Sequence, residues 1–548
     1  MAESWISAPR AGAELLPPGG ALGLGGDTTR QRWSSVHPMS ASLPHRGLAV
    51  LLACAVATSS CSTVQSVNNS LFGPAAPEAG TPGAVGGFLG GVVADEPRAA
   101  VVGRQVLSAG GNAADAAVAV AFALAVTLPS RAGLGGGGAC LAYRTASGTP
   151  TDPEAVLFVA PAPASSAGAS RPAAVPMLAR GMFLLQARYG SRPFVELITP
   201  AEQFARLGVP ASRSLVRDVE VVGRALAADP YAAEVFFPGG RPIAEGAMLQ
   251  QPDLGATLAL IRTAGVGEMY QGALAKRIAG ASAQAGGPFT VQDLRAALPK
   301  VAPPLVIPLR RGNSVAFPPP PADGGLAAAA AFQQLQSAPD APDRAQAAAL
   351  GAAAQWRQGG GDPTAILASP PASASMPALP ASTSFATLDR NGNAVVCALS
   401  MGNLFGTGRV APGFGVLLAA SPAAVPPPLL SMAMAYNPNL RAFRAEVGAS
   451  GQAAAPFAAA YAMQLTLSPS DAGERIKQDN GNMGAQSAGG GFFRVFGGNH
   501  GPPGLQPGAV PDPGRANIIA CTDFLPGNDG SCGWATDPRG AGLAVGSN

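Results

Sequence analysis

Residues 381–408 read ASTSFATLDRNGNAVVCALSMGNLFGTG. Two β-prone runs flank DRNGN, a cluster of Asp, Asn and Gly that favours a tight reversal, so the segment predicts a strand, a turn and a second strand. It opens with Ser382, Thr383 and Ser384, directly after a long tract rich in Ala, Pro and Ser. So abrupt a change from low complexity to a hydroxyl-headed strand calls for a structural or chemical use.

The surrounding composition narrows what that use can be. A chain of 548 residues exceeds the usual size of one core, so two lobes or one large two-part fold are expected. Hydrophobic residues make up 47% and charged residues 12%, with 71 Gly, 54 Pro and a formal net charge of +3. Without clustered Lys and Arg there is no nucleic-acid footprint. Histidine occurs only at 37, 45 and 500, the first two within the leader described next. A Ser-His-Asp triad or a histidine zinc centre would rest on His500 alone, so a nucleophile in this chain needs another base. CxxC and Cys/His metal spacings are absent, and no metal or cofactor is expected.

From Met39 the chain shows a short segment with His45 and Arg46, an apolar run from Leu48 to Ala57, then small residues and Cys61. That order is the order of an export signal, and the run is too short to span a bilayer as a mature helix. Residues 1–38 are read as an upstream extension from a mis-called start, 39–61 as the signal peptide, and 62–85 as a Pro/Gly/Ser-rich tether. The small residues before Cys61 resemble a bacterial lipoprotein signal, which would lipidate Cys61 and attach the protein to a membrane. Thr58 stands where that pattern prefers a large aliphatic residue, and Leu51-Leu52-Ala53-Cys54 matches better but leaves a short apolar region. A periplasmic or cell-envelope location is expected. In an oxidising compartment Cys521 and Cys532 could close a small loop, worth about 2–3 kcal/mol on the loop-entropy model; two free thiols are the alternative.

Residues 97–108 carry apolar positions at helical spacing and stop at Gly110-Gly111, after which Asn112 caps a second, almost wholly apolar helix running to residue 126. Such a helix belongs in a core. The run Gly135 to Gly138 feeds a strand and lacks the Lys-Ser/Thr and following helix of a phosphate loop, so close backbone packing is its expected use. Residues 178–300 read mostly as helices, and Thr290 with Asp293 forms a capping-box variant. The tract 336–381 reads as low complexity, poorly ordered near its end. Later, FRAEVGASGQAAAPFAAAYAMQL reads as a strand, a Gly turn and a helix.

SAGGNAADAAVAVAFALAVTLPSRAGLGGGG, PPPPADGG and the terminal DPRGAGLAVG, in this order, resemble the signature segments of gamma-glutamyltransferases across about residues 92–545. The resemblance implies an α+β fold, the αββα sandwich of N-terminal-nucleophile hydrolases, in which one precursor cuts itself and a freed hydroxyl residue becomes the nucleophile. Residues 86–381 would form the large-subunit part and 382–548 the small-subunit part, the two fragments staying associated. The junction would be Ala381–Ser382, where a flexible tract lets the upstream peptide leave. The new α-amino group, with a reference pKa near 7.7–8.0, would then act as the base that histidine supplies elsewhere.

The family's junction reads TTH followed by a strand; STSFATLDRNGNAV matches without a gap, placing Ser382 at the nucleophile, Thr383 at the second Thr and Ser384 at the His. Ser400 matches a hydroxyl residue that orients the nucleophile, and FGTG at 405–408 is intact. ASGQ resembles the turn whose N–H groups stabilise the oxyanion, which gives that role to Gly451 and Gln452. Asn403 and Ser431 correspond to substrate-binding residues, each with a departure: Gly402 stands at the position matching the family's Asn, and Leu430 precedes Ser431 where the family has paired serines. Val159 replaces the Arg that holds the substrate carboxylate, and AASPAA at 419–424 replaces the segment with the Asp that holds the amino group. Losing two such charge-assisted contacts removes about 1.5–3 kcal/mol each. The expected function is an exported, self-processing transferase or hydrolase of γ-glutamyl amides such as glutathione. The alternatives are an amidase for another acyl amide and an inactive envelope protein that keeps the fold.

Overall fold

The computed structural model describes residues 87–547 apart from 340, 371–375, 377–378, 380, 468–513 and 528. The residues read as an export signal, as a lipidated Cys61 and as a tether lie outside the described residues.

The strands of the two large sheets, in chain order, are β1 (Gly90–Ala94), β2 (Gly137–Tyr143), β3 (Glu154–Phe158), β4 (Lys300–Ala302), β5 (Leu305–Pro308), β6 (Ser314–Phe317), β7 (Thr383–Asp389), β8 (Ala394–Ser400), β9 (Ser431–Asn437), β10 (Ala442–Ser450), β11 (Arg515–Leu525), β12 (Cys532–Thr536) and β13 (Leu543–Ser547). The helices that matter to the site and its frame are α1 (Pro97–Ser108), α2 (Ala113–Thr127), α3 (Arg213–Leu226), α4 (Asp323–Ser337), α5 (Pro342–Gly359) and α6 (Ala455–Leu467).

The hairpin β7–β8 forms because its turn residues close on themselves. One carboxylate oxygen of Asp389 accepts the backbone N–H groups of Asn391 and Asn393 at 2.8 and 3.1 Å, and the other accepts the Asn393 side-chain amide at 2.8 Å. Gly392 supplies φ +82°. The pleat then sorts the side chains: Phe385, Val395, Cys397 and Leu399 face the helices on one side, while Ala386, Leu388, Ala394, Val396 and Ala398 face the second sheet.

This hairpin occupies the middle of a seven-stranded sheet of order β13-β1-β7-β8-β2-β3-β4, antiparallel throughout. The second sheet, β12-β11-β10-β9-β6-β5, packs face to face with it through Ala386, Val396, Met432, Met434 and Ile519. Helices α1 and α2 cover the outer face of the first sheet, and α4 and α6 cover the second, with α5 against α4. The result is four layers, αββα, and it is the architecture the family resemblance implies. All fifteen residues of α2 are buried, as its apolar sequence requires, and Asn112 with Asp115 makes a reciprocal capping box.

The glycine run is a packing device. A Cβ on Gly135, Gly136, Gly137 or Gly138 would lie 2.1–2.5 Å from the carbonyl oxygens of Leu417, Ser400, Phe158 and Ala398 respectively. Only glycine lets these backbones approach so closely.

The Ala-rich tract 336–381 carries helices before residue 369. Residues 342–359 form α5 and Pro363–Ala368 a further short helix, because Ala345, Ala348, Ala349, Ala352 and Ala353 recur at three- and four-residue spacing and bury one face. Cys521 and Cys532 are directly opposed in the β11–β12 ladder and disulfide-bonded. Cys140 and Cys397, for which the sequence suggested no partner, are opposed in β2 and β8 and form a second disulfide, with a Cα separation of 4.1 Å.

Candidate active site

Ser382 sits at the head of β7 with no solvent exposure. Its backbone N–H donates to the Gly451 carbonyl at 3.1 Å, and its hydroxyl donates to the same oxygen at 3.3 Å. Gly451, between β10 and α6, adopts φ +126°, a conformation open to glycine. The Ser400 hydroxyl, at the end of β8, donates to the carbonyl oxygen of Ala381 at 3.0 Å and accepts the N–H of Gly402 at 3.0 Å. The peptide bond between residues 381 and 382 is thus gripped from both sides, its carbonyl by Ser400 and its N–H by Gly451. Gln452 donates its side-chain amide to the Leu379 carbonyl at 2.6 Å, one step further upstream.

A second set of contacts fixes the strand after the junction. Asp95, one residue past β1, accepts the Thr383 hydroxyl and the Ser384 N–H through one oxygen, both at 2.9 Å. Its other oxygen accepts the Asn517 amide at 2.9 Å, which also donates to the Ser384 carbonyl and hydroxyl at 3.0 Å each. Arg131, in the turn after α2, donates to the Ser382 carbonyl at 3.3 Å. Asp218 of α3 holds that guanidinium with two bonds of 2.7 Å and accepts the Ser130 hydroxyl at 2.6 Å. The Arg131 and Asp218 side chains are only 12% and 5% exposed, so the pair is nearly desolvated and its planar, two-pronged geometry is what makes it tolerable.

Two spaces adjoin the junction, and they differ in chemistry. A cavity of 410 Å³ is bordered by Ala381, Asn403, Gln452, Asp95 and Arg131. A recess of 30 Å³ lies beside Ser400 and is lined by Val159, Ala419, Ala420, Pro422 and Leu430. That recess gathers the positions where the family resemblance expects charged partners for a glutamate zwitterion, and this chain offers only apolar surface there.

Of the residues singled out from sequence, Ser382, Ser400, Gly451, Gln452 and Asn403 cluster around Ala381. Thr383 is adjacent but turned to Asp95. Ser431 stands apart from the cavity, its buried hydroxyl bonded to the Leu429 carbonyl at 2.9 Å. It is the Gly451 carbonyl, not its N–H, that meets Ser382. Asp95, Arg131, Asp218 and Asn517 were not foreseen: they come from four separate elements, and no local pattern in the sequence links them.

A family profile described as Gamma-glutamyltranspeptidase matches residues 99–357, upstream of Ser382. The glutathione hydrolase proenzyme of Bacillus subtilis (strain 168) is 34% identical over 223 residues, covering 37% of this chain and 37% of that protein. The acylase ACY 1 proenzyme of Pseudomonas sp. (strain SE83) is 33% identical over 230 residues, covering 38% and 41%. The matches therefore span about two fifths of these curated relatives' length. Among solved structures, a cephalosporin acylase from Bacillus halodurans has a TM-score of 0.60 at 21% identity, covering 84% of this chain and 96% of that one, a likeness of fold that extends past the profile match.

Proposed function

Because this chain belongs to the gamma-glutamyltranspeptidase family of N-terminal-nucleophile hydrolases, we propose that it is an exported enzyme that cuts itself at Ala381–Ser382 and then uses Ser382 to transfer or hydrolyse an acyl group. The observation that carries this reading is the Ser400–Ala381 hydrogen bond, which polarises the one carbonyl that self-cleavage must attack. Ser382 Oγ adds to that carbonyl, the C–N bond breaks to leave an ester, and water hydrolyses the ester to free the Ser382 amine and the Ala381 carboxylate. In the processed enzyme the amine takes the Oγ proton as Ser382 attacks a substrate amide and passes it to the leaving amine; water or an acceptor amine then releases the acyl group. Ser400, together with N–H groups at Gly451 and Gln452 once the upstream peptide has withdrawn, would stabilise the oxyanion.

A γ-glutamyl amide of the glutathione type is the first substrate to test. The apolar recess at Val159 and Leu430 favours a second reading, an amidase whose substrate lacks the glutamate zwitterion. Export to an oxidising compartment is supported by the pattern at residues 39–61 and by the two disulfides; lipid attachment at Cys61 is part of the same proposal.

The test is intact-mass and N-terminal analysis of the purified, exported protein after reduction of its disulfides, because Cys140–Cys397 would otherwise hold the two fragments together. Two fragments, the smaller beginning at Ser382, are expected. A chain that stays whole after long incubation sinks the enzyme reading and leaves an envelope protein that retains the fold.

A further inference from the structure

With Ser382 as the nucleophile, the group that takes the Oγ proton is the residue's own freed α-amino group. At the ordinary pKa of such an amine, near 7.7–8.0, only about a tenth to a sixth of it is neutral at pH 7. The remainder is ammonium and cannot accept a proton. A charge placed beside this amine therefore decides how much of the enzyme is competent.

Arg131 reaches Ser382 itself, its Nη1 donating to the Ser382 carbonyl at 3.3 Å. The three bonds from N to O of one residue add to about 4.2 Å, so Nη1 stands no more than about 7.5 Å from the amine nitrogen. The other edge of the guanidinium, Nε and Nη2, carries Asp218 at 2.7 Å each, and Asp218 accepts the Ser130 hydroxyl at 2.6 Å. The ion pair thus turns its positive end to Ser382 and its negative end away. Both side chains are nearly buried, where solvent screens them little.

The other charged groups around Ser382 do not reverse that sign. Arg217 of α3 and Arg515 of β11 line the adjoining cavity with Arg131, Asp218 and Asp95, three guanidinium groups against two carboxylates. Asp95 lies on the downstream side, where Thr383, Ser384 and Asn517 donate to it. Glu96 is turned to the start of α1 and accepts the Ala99 N–H.

We propose that Arg131, positioned by Asp218, holds the freed Ser382 amine in its neutral, proton-accepting form. The proposal rests on the reading of Ser382 as nucleophile. A cation beside an amine disfavours the ammonium, and this serves both halves of a turnover. The neutral amine takes the Oγ proton as Ser382 attacks the amide carbonyl. The ammonium so formed, made more acidic by its neighbour, gives that proton to the departing amine. In the second half the amine takes a proton from the water that attacks the ester and returns it to Ser382 Oγ, which releases the carboxylic acid.

The experiment is competitive labelling with fluorodinitrobenzene over about pH 5 to 10, the labelled fraction of tryptic peptide 382–390 reporting how much of the amine is neutral. It is run on the cut protein and on a two-chain form, residues 62–381 expressed together with 382–548, whose initiator Met is removed ahead of Ser382. The second form supplies the amine whether or not the full chain cuts itself. The parent amine is expected to titrate about one pH unit below the same amine in urea. The charge-free pair Arg131→Gln/Asp218→Asn should bring the two together, and Arg131→Gln alone, which leaves Asp218 bare, should raise the amine further. Arg131→Lys keeps the charge without the planar fork and should stay low, a rescue that a purely structural role would not give. Arg217→Gln should move the amine less than the double change does. A parent amine that titrates with the unfolded one, an unmoved double variant, an Arg131→Lys that behaves like the double variant, or an equal shift in Arg217→Gln overturns the proposal. A full chain that never cuts itself, with a low-titrating amine in the two-chain form, overturns the nucleophile reading alone, so the two failures are distinguishable.

Discussion

Ser400 and Ala381 are joined by a hydrogen bond of 3.0 Å in which the hydroxyl is the donor, since a carbonyl oxygen can only accept, while the hydroxyl oxygen receives the N–H of Gly402. The direction of the Ser400 proton is therefore set by the backbone before any reaction begins. A preset donor of this kind acts where negative charge develops and needs no reorganisation. Ser400→Ala should slow the appearance of the Ser382-headed fragment by roughly 10²–10³-fold, the usual effect of removing one oxyanion donor, while Ser400→Thr retains cleavage. Time-resolved intact mass of reduced samples reads both, and equal rates for parent and Ser400→Ala would remove Ser400 from the mechanism.

Arg131 and Asp218 stabilise one another in a site that neither could occupy alone. Asp218→Ala leaves a guanidinium nearly out of water and should destabilise the fold by about 3–5 kcal/mol. The double change with Arg131→Ala should cost less than the two single changes added together. Urea unfolding of the four proteins, each carrying Ser382→Ala so that all remain one chain, measures the coupling; strict additivity would show that the pair is not a unit.

Glu446 lies in β10 between Met434 and Ile519, fully buried, with neither carboxyl oxygen hydrogen-bonded. Burial first, and the like charge of Asp389 second, push its pKa well above 4.5. Below about pH 4.5 the group is protonated both folded and unfolded, so its titration has no effect on stability. As pH rises from there, the unfolded chain ionises and the folded one does not, and stability is lost until the folded pKa is passed. Glu446→Gln should melt with the parent at pH 4 and above it at pH 7, the gap widening in between. Parallel melting curves across that range would refute the neutral, unpaired carboxyl.

The apolar recess makes a prediction about substrates. Val159, Ala419, Ala420 and Leu430 offer no partner for an ammonium group, so an α-amino group on the acyl chain gains nothing and must be desolvated. In paired anilide substrates that differ only in that amino group, the amino-free member should have the higher kcat/KM. A preference for the γ-glutamyl member would contradict this.

What could be read from the sequence was what is local. The hairpin around DRNGN, the capped apolar helix and the glycine run each depend on neighbours a few residues away, and each is found where its residues suggest. The offset between Ser382 and the DRNGN turn likewise places Ser382 just ahead of β7. Asp95 and Asn517 are 422 residues apart and meet only because β1 and β11 lie in facing sheets. Arg131 and Asp218 meet only through the placement of α3. Helix α5 was obscured for a different reason: Ala both fills a low-complexity tract and, at regular spacing, makes a good buried helix face, so composition hid the periodicity.

The β2–β8 disulfide acquires a further meaning if the chain is cut. Cys140 falls before Ala381–Ser382 and Cys397 after it, so cleavage leaves one cysteine on each fragment. The halves of the enzyme would then be a single covalent species, parted only by a reductant. Dilution could not separate Ser382 from Asp95 and Arg131, which the other fragment carries, because a tethered partner stays at a high effective concentration whatever the concentration in bulk. An enzyme released beyond the cell would keep its assembled site where a pair of free fragments would drift apart.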